Sequence, residues 1–154
     1  MRQPWLLLGL ALVMVRPAHP QAPKGEKPAA RAIGVYLPNG WHLALDADGS
    51  GRVSYGASFA DSWGFKRGTF DVAQVTKDLK TLASDRDGRQ GSHFVFTFES
   101  ERKGPGEPGP ARYTRDTRVI PALFARAIEA AQVKKSARGA FLLEKHPAAL
   151  PKDR

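Results

Sequence analysis

Three phenylalanines at alternate positions, Phe94, Phe96 and Phe98 within His93-Phe94-Val95-Phe96-Thr97-Phe98, constrain the fold more than any other stretch. Period-two alternation puts the three rings on one side of a strand, and a face that apolar needs a covering layer. The following Gly104-Pro105-Gly106-Glu107-Pro108-Gly109-Pro110 is incompatible with helix or central strand. It separates the strand from Ala111-Arg112-Tyr113-Thr114-Arg115, its expected hairpin partner.

Upstream, Ile33 to Leu37 reads as a short strand, Pro38-Asn39-Gly40 as a turn, and Trp41 to Leu45 as a second strand with Trp41, Leu43 and Leu45 on one face. Asp46-Ala47-Asp48-Gly49-Ser50-Gly51 is a turn, and Arg52 to Tyr55 resumes the alternation. A further extended piece runs through Ser58-Phe59 or Gly64 to Gly68, where glycines blur the pattern.

Val72, Val75, Leu79 and Leu82 recur at helical period and predict a helix from about Val72 to about Ala83. Thr69 or Asp71 caps it, and Asp71 with Gln74 has capping-box spacing. A second amphipathic helix opens at Asp116 or Thr117, holds Pro121 in its first turn, and aligns Ile120, Leu123, Phe124, Ala127, Ile128 and Ala131. Ala140-Phe141-Leu142-Leu143 reads as an edge strand or docking segment. The expected class is α+β: an antiparallel sheet of about four to five strands, two helices packed on one face, order β-β-β-α-β-β-α.

The chain opens with Met1-Arg2 and the ten apolar or small residues Leu6 to Val15, the pattern of a cleavable secretory signal. A membrane-spanning helix needs roughly 20 apolar residues, and this run stops at Arg16. The expected organisation is a signal at 1–22, a flexible proline-rich leader at 23–32, one domain at 33–146 and a loose tail at 147–154. Export to the periplasm or medium follows, with no transmembrane anchor after cleavage. There is no cysteine, so stability rests on packing, and thiol chemistry and cysteine-held zinc are excluded.

Without residues 1–22 the formal charge is +7, and it is unevenly spread. Residues 112–154 hold ten Lys and Arg against four Asp and Glu, a net of +6, whereas residues 23–111 net +1. Arg112, Arg115 and Arg118, gathered at the hairpin-to-helix junction, would attract an anionic envelope component or an acidic protein surface. An exported protein is not expected to meet nucleic acid. Lys134 and Lys135 join the candidate set, although the negative end of the preceding helix also accounts for them. Trp63, between Asp61, Ser62 and Gly64, is the aromatic expected to be exposed in a loop.

Asp46, Asp48 and Ser50 occupy positions one, three and five of a calcium-loop pattern with glycine at six. Position twelve is Ala57 where calcium needs a bidentate glutamate, so a turn with carboxylates bonded to local backbone is the preferred reading. No cofactor fingerprint is present. His42 and His93 could converge with Asp46 and Asp48 in a small hydrolase or metal-assisted enzyme. Ser92 and His93, adjacent in a strand, would face opposite ways and so would not pair as nucleophile and base.

The succession of a strand ending in Asp46-Ala47-Asp48-Gly49, a capped helix, a strand and a final amphipathic helix, from Trp41 to Ala131, resembles the periplasmic domains of the ExbD and TolR transport family. That family carries a full membrane helix with a functional acid, so the resemblance implies an order of elements and no activity. The leading expectation is a non-catalytic cell-envelope interaction protein.

Overall fold

The computed structural model describes residues 29–57, 60–88, 92–105, 107 and 109–148. The expected signal and the leader residues 23–28 lie outside them, as do Ser58, Phe59 and the tail from residue 149. Among the described residues, six strands and three α-helices follow in the order β1 Arg31–Tyr36, β2 Trp41–Asp46, β3 Gly51–Tyr55, β4 Asp61–Phe65, α1 Val72–Lys80, β5 Phe94–Phe98, β6 Arg112–Thr114, α2 Val119–Ala130 and α3 Ala137–Lys145. The strands form one sheet in the order β4-β3-β2-β1-β5-β6, every neighbouring pair antiparallel.

The α+β class stands, with one strand and one helix more than the sequence suggested. The extra strand, β4, was obscured by Gly64, yet Asp61, Trp63 and Phe65 alternate in register with Tyr55, Val53 and Gly51 of β3. The extra helix, α3, contains Ala140 to Leu143, expected as an edge strand or docking segment. Ser136 caps it by accepting from the Gly139 amide at 2.9 Å. A four-residue apolar run carries no period of its own, and the cap before it decides the outcome.

One face of the sheet builds the core. Ile33 and Val35 of β1 sit opposite Phe98 and Phe96 on one side and Leu45 and Leu43 on the other. Leu79 of α1, Ile120, Phe124 and Ala127 of α2, and Leu142 of α3 close over them in a single buried cluster. Burial of each large side chain contributes about 1.5–3 kcal/mol.

Local chemistry sets the ends of the elements. Asp71 caps α1 by accepting from Gln74 N at 3.0 Å, but the Gln74 side chain turns to Asp78 at 2.6 Å, so only half of the expected capping box forms. Asp116 accepts from the Ile120 amide at 2.7 Å, and α2 starts at Val119, slightly later than expected, with Pro121 in its first turn. Gly49 adopts φ +79° in the β2–β3 turn, where a side chain would also collide with the Phe70 carbonyl.

The chain past α3 returns to the start of the sheet. Trp41 Nε1 donates to His146 O at 2.6 Å, the His146 ring stacks on Tyr55 at 5.0 Å, and Asn39 Nδ2 donates to Pro147 O. Among the described residues, no helix is long and apolar enough to cross a membrane.

Candidate functional site

The C-terminal end of α1, strand β6 and the start of α2 meet around one cavity of about 420 Å³. It is lined by Leu82, Ala83, Ser84 and Asp85 from one segment and by Thr114, Arg115 and Asp116 from the other. Arg115 is the cation that lines it, and cations distant in sequence meet at Phe98, further along β5. Lys80 Nζ lies 5.6 Å from the centre of the Phe98 ring, and the Arg112 guanidinium lies 5.0 Å from the same ring. Arg112 is fixed there by Glu101, 3.0 Å away. Arg115 and Arg118 are exposed on the β6–α2 connection. Lys77, one helical turn before Lys80, shares its side of α1.

The carboxylates at the cavity are turned to internal tasks. Asp116 accepts from the amides of Arg118 and Ile120 at the start of α2. Asp85 accepts from His93, and this bond, the bond from Asp87 N and the fields of His93 and Arg115 hold its carboxyl below the usual carboxylate range.

Three members of the expected set lie elsewhere. Lys134 and Lys135 are exposed in the single turn Val133–Lys135 beyond the opposite end of α2, which is about 18 Å long. They do not join Arg112, Arg115 and Arg118. Trp63 is not an exposed loop aromatic: it stands in β4, partly buried against the core, with its ring 6.1 Å from that of Trp41. Its Nε1 donates to Ser136 Oγ at 3.0 Å. Lys80, which the sequence reading missed, has no proximity signal in the sequence because the Phe98 ring brings it to Arg112 through the fold.

His42, His93, Asp46 and Asp48 do not converge. His42 lies on β2 on the sheet face opposite Trp41 and Leu43, edge-on to Tyr36 with 5.0 Å between ring centres. Burial lowers its pKa. Asp46 ends the same strand and pairs with Arg31 at 3.2 Å. Asp48 accepts from Ser50 N at 2.9 Å, Ser50 Oγ at 2.6 Å and Arg67 Nε at 2.9 Å. The calcium-loop oxygens are thus engaged by the turn itself and by arginines. Among the described residues, no group of three or more His, Asp or Glu side chains is placed to hold a metal ion.

His93 instead has partners the sequence reading set aside. Ser92 Oγ lies 2.8 Å from its Nδ1, and Asp85 Oδ2 lies 2.9 Å from its Nε2. Opposite-facing side chains hold only within a strand, and β5 begins at Phe94, so the turn at residues 92 and 93 brings the two together.

No family model, curated protein or solved structure matches this chain.

Proposed function

We propose that this is an exported domain that binds an anionic component of the cell envelope through the cations at the α1 end, β6 and the α2 start. The observation that supports it is the approach of Lys80 and Arg112, from segments more than thirty residues apart, to one Phe98 ring, with Arg115 lining the cavity just beyond the other end of β6. Arg112, braced by Glu101 and stacked on Phe98, would orient the site. Arg115, Arg118, Lys77 and Lys80 would supply the exposed charge.

Each exposed cation contributes only about 1 kcal/mol at contact distance in water, so affinity depends on several acting together within one Debye length, about 10 Å at 0.1 M salt. Lys134 and Lys135 lie outside that reach. A pull-down from the native envelope fraction tests the proposal. The protein should retain an anionic component, a variant with Lys77, Lys80, Arg115 and Arg118 changed to Gln should lose it, and Lys134→Gln with Lys135→Gln should keep it. Equal retention by all three would refute the assignment.

A further inference from the structure

We propose that Ser92, His93 and Asp85 form a nucleophile, base and carboxylate relay that takes an acyl group from a carboxylic ester onto Ser92 Oγ. This activity goes beyond the binding role and does not depend on it. The two hydrogen bonds, 2.8 Å from Ser92 Oγ to His93 Nδ1 and 2.9 Å from His93 Nε2 to Asp85 Oδ2, form a continuous chain. Asp85 is held ionised by its bonds from His93 and from the Asp87 amide, so it can only accept. The imidazole proton therefore sits on Nε2. A neutral ring has one proton, which leaves the Nδ1 lone pair facing Ser92, and the serine hydroxyl donates to it. The ring nitrogens are exchanged relative to the usual serine hydrolase, where Nε2 faces the serine, but either nitrogen is competent as the base.

The 85–88 segment is also held by its backbone. Asp85 N donates to Tyr113 O at 2.7 Å and Gly88 N to Asp85 O at 3.1 Å, so the segment is anchored to β6 through its backbone. His93 is only 6% exposed while Ser92 is partly exposed, which fixes the base and leaves the nucleophile at the surface.

In the step, Ser92 Oγ bonds to the ester carbonyl carbon as its proton passes to Nδ1. The resulting imidazolium is paired with Asp85. The oxyanion then collapses, the bond to the alcohol oxygen breaks with its electron pair, and Nδ1 returns the proton to the departing alkoxide. Water attacks the acyl-serine in the same way, its proton moving through Nδ1 to Ser92 Oγ, and a carboxylic acid leaves.

The full chain is treated with a fluorophosphonate at pH 8 and the adduct located by peptide mass spectrometry, alongside turnover of 4-nitrophenyl acetate. The expected result is an adduct on Ser92 and a labelling rate about 100-fold lower in His93→Gln. Asp85→Asn should lower kcat about tenfold or more at unchanged KM, since it disturbs the base without touching substrate. Ser92→Ala should abolish turnover yet bind the anionic partner with unaltered salt dependence, which separates this proposal from the binding role. Circular dichroism verifies that each variant is folded, and mapping the unmodified sequence needs no variant at all. No adduct on Ser92 in the folded protein, or equal labelling in folded His93→Gln, would overturn the relay.

Discussion

Asp48 closes the turn between β2 and β3 from three directions, through the side chain of Ser50, the amide of Ser50 and the side chain of Arg67. These bonds lower its pKa from 3.8 to about 2. Because the folded value lies below the unfolded one, its stabilisation is complete above about pH 4 and is lost as pH falls through about 2. Asp48→Asn should therefore be less stable than the parent at pH 6 and converge with it as the pH approaches 2, read by urea denaturation across that range. Parallel curves would contradict the assignment. The Asp-Gly-Ser spelling made this turn legible in the sequence, whereas Arg67, the third partner, was not legible because it comes from beyond β4. Trp63 and Ser92 were misread for a shared reason: the side-chain direction of each depends on where a strand begins, and glycine or a turn residue nearby hides that boundary.

At the scale of elements, Ser136 joins α3 to the sheet. Its hydroxyl donates to Val133 O at 3.1 Å and accepts from the Gly139 amide and the Trp63 indole, which fills its hydrogen-bonding capacity. Ser136→Ala should cost about 2 kcal/mol, roughly half from the lost cap and half from the stranded indole N–H. Trp63→Phe combined with Ser136→Ala should cost less than the two changes added, since both remove one bond, and a double-mutant cycle by urea denaturation measures the difference. Strict additivity would mean that the Trp63–Ser136 bond contributes nothing. Arg138 adds a second tie with both oxygens of Asp61 at the edge of the sheet. The two long helical periods and the Phe94–Phe98 alternation were legible because each repeats over several positions. β4 and α3 were not, because five residues with a central Gly-containing pattern and four apolar residues in a row fit more than one period.

For the whole molecule, the sheet order β4-β3-β2-β1-β5-β6 places β6 at an edge, where the segment after α1 and the connection into α2 line one cavity. The excess charge of residues 112–154 was legible from composition, but its division into a group near β6 and a separate pair at Lys134 and Lys135 required the direction of α2. The core pattern fixes only which side of α2 is buried, that of Ile120 and Phe124. If the cluster is the binding surface, its affinity for a linear polyanion must reflect counterion release.

The decisive measurement is the dissociation constant for inorganic polyphosphate, taken across salt concentration for the protein and for the Lys77, Lys80, Arg115 and Arg118 to Gln variant. With about four contacts, binding by the protein should weaken roughly 100-fold between about 50 and 200 mM salt, and the variant should lose most of that slope. Salt-independent binding, or the same slope in both proteins, would contradict the account.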